Sequence, residues 1–180
     1  LVDPVMGDSG QTYDIYNETF GAQMKRLVQR ADVITPNLTE LCILTDTDYQ
    51  SLTAKSHSSD YLENIASIGR KLLSLGIKTV LITGILYKAP TDAETCYYNL
   101  VLEGNAVPPV SSSIHGGSYS GTGDLFASVL SAGLVKGYSM ETCAHMAVEF
   151  ISTSIRDAVS EGTDRNDGVC FEAHLGMLLS

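Results

Sequence analysis

Four glycines within eight residues form the stretch of this sequence best suited to binding an anion. The run His115-Gly116-Gly117-Ser118-Tyr119-Ser120-Gly121-Thr122-Gly123-Asp124 leads directly into an apolar segment long enough for a buried helix. Glycine lets the backbone approach a ligand closely. The first turn of a helix presents unpaired N–H groups and the positive end of the helix dipole. The pattern therefore predicts an anion site where this helix begins.

Asp124 lies where such an anion would bind. A carboxylate in the first turn can simply cap the helix, and an isolated aspartate at this position is expected to do so. Beside a bound phosphate, the same carboxylate could accept the proton of an attacking hydroxyl group. The local spacing leaves both interpretations open, and the rest of the chain has to decide between them.

The elements that must position this loop alternate along the chain. Strands are predicted at 1–6, where Pro4 is expected to stop the strand, at 33–35 and at 79–83. A hairpin over 95–110 that turns at Gly104-Asn105 is predicted to add antiparallel strands. Helices are predicted at 17–30, after a cap at Asn37 or Thr39, at 61–75, from the glycine loop up to Gly137, and at 140–159. The segment 45–59 is predicted to be a surface loop containing one helical turn. The order of strands and helices predicts an α/β protein with crossover helices.

Polar side chains follow the predicted parallel strands. They are Asp3 after the first strand, Thr35, Asn37 and Glu40 after the second, and Thr83 after the third. Ligands of open parallel sheets gather beyond the carboxyl ends of the strands. A glycine loop that opens a helix at the same edge would face these side chains, and this convergence is the main functional inference from the sequence.

The composition limits the classes of function. The 180 residues suffice for a single domain, 1–180, with a sizeable core, and the net charge is -10. This charge argues against nucleic acid or an anionic membrane as a partner. No apolar stretch approaches the roughly 20 residues that cross a bilayer, and four scattered cysteines indicate free thiols. We therefore expect a cytoplasmic protein that acts on small molecules.

The same acidity poses a problem for any phosphate ligand. The cation nearest to Gly121–Asp124 in sequence is Lys136, one helix length away. A polyphosphate would need magnesium and backbone dipoles to offset its charge. Asp3, Asp8 and Glu40 are candidate ligands of such a hard cation, or residues that hold its ligands. Each of them taken singly is expected to be a cap or a solvated charge.

Four motifs in a fixed order make the sequence similar to a known family. They are Asp3-Pro4-Val5-Met6-Gly7-Asp8, then Ala31-Asp32-Val33-Ile34-Thr35-Pro36-Asn37 with Glu40, then Ile82-Thr83-Gly84, and finally Gly121-Thr122-Gly123-Asp124. Their order and approximate spacing resemble those of the ribokinase-like kinases and, within them, the pyridoxal (pyridoxine, pyridoxamine) kinases. The run Gly10-x-x-Tyr13 looks like that branch. The resemblance implies a three-layer α/β sandwich with a mostly parallel central sheet flanked by helices.

The resemblance also implies roles for individual residues. Asp124 would be the base that deprotonates the substrate hydroxymethyl group, and Gly121, Thr122 and Gly123 would form the anion hole for the phosphoryl group transferred from ATP. The residues implied around magnesium and the ATP phosphates are Asp3, Asp8, Thr35, Asn37 and Glu40. Thr83 and Gly84 would touch the nucleotide, and the segment 108–115 would border its adenine.

The implied activity is ATP-dependent phosphorylation of pyridoxal, pyridoxine or pyridoxamine by a homodimer. Members of the family carry an N-terminal portion that this sequence lacks, so we expect the sequence to be the C-terminal, ATP-binding part of such a kinase. Two alternatives stay open. One is a hydroxymethylpyrimidine (phosphate) kinase of thiamine synthesis, which shares most of these motifs, and the other is a truncated, non-catalytic nucleotide-binding protein.

Overall fold

The computed structural model describes residues 1–89, 94–104, 109–113 and 118–179. The chain divides into two compact units, Leu1–Pro109 and Val110–Ser180. In the first unit the strands are β1 (Gly7–Asp8), β2 (Gln11–Thr12), β3 (Val33–Ile34), β4 (Thr79–Tyr87) and β5 (Cys96–Glu103). Its helices are α1 (Glu18–Val28), α2 (Leu38–Thr45), α3 (Tyr49–Thr53) and α4 (Tyr61–Leu73).

The second unit is mainly helical. It contains β6 (Val110–Ser113), α5 (Thr122–Val135), α6 (Met140–Glu161) and a 3₁₀ helix, Glu172–Leu178. Ser139 caps α6 by accepting the Thr142 N–H, and Gly162 ends it in the left-handed conformation. In the described part of the chain, every helix is too short or too polar to cross a bilayer.

The sheet of the first unit is mixed. Val33 of β3 pairs in parallel with Thr79 of β4, and β4 pairs antiparallel with β5 along most of its length. Helices α2 and α4 pack against β4, and α4 also packs against β5. The predicted α/β class and the antiparallel extension of the sheet by β5 are therefore confirmed. The predicted turn at Gly104-Asn105 continues into residues that lie outside the described ranges.

Helix starts follow the caps that the sequence predicts. Asn17 caps α1 by accepting the Phe20 N–H, and Asn37, the first of the two candidates, caps α2. The predicted helical turn within 45–59 is α3, which Asp48 caps. These caps form because a short polar side chain beside the first turn can reach an N–H group that has no partner within the helix.

Two predicted strands differ from the structure. At 1–6 only Val2 forms a bridge, in parallel with Ile34, because the chain turns at Pro4 and the Val5 N–H bonds back to the Asp3 carbonyl oxygen. The strand predicted to end at Thr83 continues to Tyr87. It can do so because Gly84 adopts a φ of 66° inside a register shift, where a β-bulge takes up the one extra residue of β4.

Close packing of α4 on the sheet yields a test of the fold. A Cβ atom placed on Gly69 would lie 2.5 Å from Leu102 Cδ1 and 2.8 Å from Ile82 Cδ1. We expect Gly69→Val to lower the free energy of unfolding by about 1–3 kcal/mol, because this site is already full. Ser67→Val on the exposed side of the same helix is the control, with an expected change within about 0.5 kcal/mol. Urea denaturation measures both, and equal effects would contradict the packing.

Candidate functional site

The first turn of α2 is built around a capping box. Asn37 Oδ1 accepts the Glu40 N–H at 3.0 Å, and Glu40 Oε2 accepts the Asn37 N–H at 2.9 Å. This reciprocal pairing satisfies two N–H groups at the start of the helix. The capping box therefore gives the Glu40 side chain one fixed direction, back toward the residue that begins the helix.

The second oxygen of Glu40 reaches a distant part of the chain. Oε1 accepts the Met6 N–H at 3.1 Å, and the side chain is only 4% exposed. Burial raises the pKa of Glu40 from 4.5 to about 7, the negative charges of Asp3 and Asp8 add to this rise, and the hydrogen bonds from the Asn37 and Met6 amides oppose it. The carboxyl group is thus held by two backbone amides in surroundings that disfavour its charge.

Asp3 and Thr35 meet at the ends of neighbouring segments. The buried Thr35 hydroxyl donates to Asp3 Oδ1 at 2.7 Å. Asp8 lies on the β1–β2 hairpin with an exposed side chain, and its Oδ1 accepts the Ser9 N–H at 2.8 Å. The pKa of Glu40 responds to both aspartates, so the three carboxyl groups lie close enough to interact electrostatically.

Thr83 and Gly84 lie at the same edge of the sheet. Thr83 forms a parallel bridge with Asn37, and its N–H donates to the Pro36 carbonyl oxygen at 2.9 Å. The Gly84 N–H donates to Asn99 Oδ1 at 3.2 Å. All five polar residues that follow the predicted strands, namely Asp3, Thr35, Asn37, Glu40 and Thr83, are therefore linked by these contacts in the first unit.

The fit of this edge to magnesium can be judged from its oxygen atoms. In the described residues, no three histidine, cysteine, aspartate or glutamate side chains form a cluster that could hold a metal ion. Protein-bound magnesium commonly takes only one or two carboxylates and completes its shell with water and substrate phosphates. The exposed Asp8 carboxylate suits that arrangement. Both oxygens of Glu40 already accept backbone N–H bonds, which suits a residue that holds ligands rather than a direct ligand.

The glycine loop of the second unit starts α5 without a side-chain cap. Gly121 is the N-cap residue, with φ 79°, and no side chain bonds the first turn from that position. The Thr122 hydroxyl donates to the Tyr119 carbonyl oxygen at 3.0 Å, which fixes the loop. The exposed Asp124 lies in the first turn, as predicted. Gly121 and Gly123 have open space around the position of a Cβ atom, so a ligand could approach the backbone there.

The structure brings one further residue to the glycine loop that sequence reasoning missed. The Ser120 N–H donates to the Arg165 carbonyl oxygen at 2.9 Å, so the loop after α6 lies beside the residue that precedes Gly121. Lys136, the cation nearest in sequence, instead donates to the Leu178 carbonyl oxygen at the other end of α5. With 14 residues, α5 is about 21 Å long. No local pattern around Arg165 signals this position, because the contact depends on the fold.

Some predicted site residues lie where the structure is not described. The residues 114–117, with His115, and 105–108 lie outside the described ranges, so the predicted adenine border is described only at 109–113. The site residues at the strand ends belong to the first unit of the chain, and those of the glycine loop belong to the second. Their convergence around one nucleotide stays a prediction.

Comparison with known proteins identifies similar sequences along nearly the whole chain. A family model described as phosphomethylpyrimidine kinase matches residues 1–168. The pyridoxine kinase of Bacillus subtilis (strain 168) is 26% identical over 162 residues. The hydroxymethylpyrimidine/phosphomethylpyrimidine kinase of Haemophilus influenzae is 27% identical over 163 residues. These alignments cover 88% and 90% of this chain but 54% and 56% of the relatives, so the chain spans about half the length of the curated relatives it matches.

A solved structure extends the likeness to three dimensions. A Bacteroides thetaiotaomicron VPI-5482 protein, classed as a phosphomethylpyrimidine kinase and crystallised with pyridoxal, matches with a TM-score of 0.80 and 34% identity. The match covers 98% of this chain and 59% of that chain. It confirms the ribokinase-like α/β fold expected from the motifs.

The buried Glu40 yields a prediction about pH and stability. Because its pKa in the folded protein is raised from 4.5 to about 7, its contribution to stability is complete below pH 4.5 and is lost as the pH rises through 7. The loss is at most about 3 kcal/mol. We expect Glu40→Gln, which is neutral throughout, to lack this component. Urea denaturation between pH 4.5 and 8 measures it, and parallel pH profiles for the two proteins would contradict the assignment.

Proposed function

The chain belongs to the phosphomethylpyrimidine kinase family, and on that premise we propose that it forms the ATP-binding part of a kinase. The kinase phosphorylates the hydroxymethyl group of pyridoxal, pyridoxine or pyridoxamine, the step that salvages vitamin B6 as a phosphate ester. The single observation that carries the proposal is the start of α5, where a glycine N-cap leaves the first turn open and Asp124 lies within it.

The start of α5 supplies the anion hole in this proposal. The unpaired N–H groups of the first turn and the helix dipole bind the phosphoryl group that is transferred, with Gly121, Thr122 and Gly123 contributing the backbone. Open space above the two glycines supports a close approach by the ligand. The rest of the nucleotide and its cation are bound by Asp3, Thr35, Asn37, Thr83 and Gly84. Glu40 holds the backbone beside them.

Magnesium, when bound with ATP, neutralises charge on the phosphate oxygens. Asp8 and Asp3 are the proposed carboxylates for it, because a hard cation prefers such oxygens. Glu40 contributes by holding the backbone of Met6, which lies between the two aspartates in the chain, and that of Asn37, whose side chain donates to the Gly7 carbonyl oxygen. The acidic chain needs such a cation, because its net charge of -10 opposes binding of a polyphosphate.

Asp124 supplies the chemistry in this proposal. As the substrate hydroxyl attacks the terminal phosphorus of ATP, Asp124 accepts the hydroxyl proton, the new O–P bond forms, and the bond to ADP breaks. Transfer depends mainly on positioning and on charge stabilisation. A correctly placed base adds about 10²–10⁴-fold to the rate. Exposure of the Asp124 side chain in the first turn is compatible with access to a hydroxyl group.

The choice of substrate rests on the relatives. A pyridoxine kinase and a structure with pyridoxal support a vitamin B6 compound. A hydroxymethylpyrimidine/phosphomethylpyrimidine kinase of similar identity supports a pyrimidine alcohol as the second candidate. Phosphorylation assays on the full-length protein that compare pyridoxal with hydroxymethylpyrimidine separate the two. Tight ATP binding without turnover of either alcohol would instead favour the non-catalytic alternative.

The role of Asp124 is tested by substitution in the full-length protein. We expect Asp124→Ala to lower kcat by about 10²–10⁴-fold, because the base is lost, while the affinity for ATP changes little. Steady-state kinetics and calorimetric titration with a non-hydrolysable ATP analogue measure the two quantities. Glu141→Ala, at an exposed carboxylate in the first turn of α6, is the control for loss of one negative charge. An equal loss of nucleotide affinity in Asp124→Ala would show that Asp124 is structural.

A further inference from the structure

The β1–β2 hairpin is fastened to the first turn of α2 by side chains at both ends. Asn37 Nδ2 donates to the Gly7 carbonyl oxygen at 2.8 Å where β1 begins. At the turn, the Gly10 N–H donates to Thr39 Oγ1, also at 2.8 Å. Thr39 is only 5% exposed, so water competes little for this bond. The tip of the hairpin thus has its own anchor, separate from the capping box.

The turn itself needs this anchor. Ser9 and Gly10 have φ values of 51° and 78°, the positive angles that a two-residue hairpin favours. Only two residue pairs, Gly7 with Thr12 and Asp8 with Gln11, join the strands. A hairpin of this kind is marginally stable alone. Its position therefore depends on what holds it from outside.

The ring of Tyr49 packs against the tip of the hairpin. A Cβ atom on Gly10 would lie 2.7 Å from the ring of Tyr49, so the turn rests directly on that ring. Beside it lies a cavity of about 320 Å³, whose lining includes Gly10, Thr12, Thr39 and Tyr49. The cavity leaves room for the hairpin to shift. The hydrogen bond from Gly10 to Thr39 ties the tip of the turn to α2 beside this cavity.

We propose that Thr39 is a positioning residue for nucleotide binding. By holding Gly10, it fixes the hairpin and with it Asp8, the exposed carboxylate assigned above to the cation that accompanies ATP. Without this bond, the hairpin must be ordered when the nucleotide binds, which weakens affinity. The inference rests on the proposed function, because it assumes that this edge binds a nucleotide with its cation.

The experiment measures nucleotide affinity in the full-length protein with and without magnesium. Thr39→Val removes the acceptor of the Gly10 N–H and keeps the branched shape of the side chain, whereas Thr39→Ser keeps the hydroxyl group. Thr45→Val is the matched control, because the Thr45 hydroxyl donates within α2 to the Leu41 carbonyl oxygen. Calorimetric titration with a non-hydrolysable ATP analogue gives the affinities, and thermal unfolding reports stability.

We expect Thr39→Val to weaken binding about tenfold in the presence of magnesium, the effect of one lost hydrogen bond that leaves a donor unpaired. The loss should be smaller without magnesium, because Asp8 acts through the cation. Thr39→Ser and Thr45→Val should bind like the wild type. A merely structural role would lower the unfolding temperature without this dependence on magnesium.

Each other outcome overturns a distinct statement. If the wild type binds no nucleotide, both the proposed function and the positioning role are wrong. If the wild type binds and Thr39→Val binds equally well, only the positioning role is wrong. Should Thr39→Val fail to fold, Gly10→Ala displaces the same turn through its contact with Tyr49. Unchanged magnesium-dependent affinity in that variant would likewise overturn the positioning role.

Discussion

One buried carboxyl group supports the edge of the sheet where the proposed nucleotide site lies. Glu40 accepts N–H bonds from Asn37 at the start of α2 and from Met6 just before the β1–β2 hairpin. Both bonds lie in a shielded environment, where they are strong but where a charge is costly. This unfavourable burial of a charge raises the pKa of Glu40 to about 7. In return, two distant segments are held at a fixed separation beside Asp3 and Asp8.

The candidate site residues of the two units differ in electrostatic character. The strand ends of the first unit carry acidic side chains, which favour a hard cation. The start of α5 in the second unit carries unpaired N–H groups and the positive end of a dipole, which favour an anion. A nucleotide triphosphate with its magnesium contains both kinds of group. The proposed function uses both characters, because the net charge of -10 opposes polyphosphate binding unless a cation and backbone N–H groups offset it.

Much of the fold could be predicted from the sequence because its signals are local. Asn17 and Asn37 cap their helices through bonds that span three residues. One prediction was wrong because a glycine can either follow the end of a strand or form a bulge within it. The strand predicted to end at Thr83 continues through Gly84, which forms a bulge within β4, since pairing with β5 resumes beyond it. At 1–6 the predicted stop of the strand at Pro4 is confirmed, and the pairing is limited to one bridge, between Val2 and Ile34.

The sequence by itself determined the family, through four motifs in a fixed order along the chain. It also determined the helix caps and the glycine loop, because these depend on residue types at short spacing. Only the tertiary structure decided which side chains hold the site together. Glu40 with Met6, Thr39 with Gly10, and Ser120 with Arg165 are contacts between segments far apart in the chain. A hydrogen-bonding group has many acceptable partners, and folding selects one by bringing its backbone within about 3 Å. No local pattern carries that information.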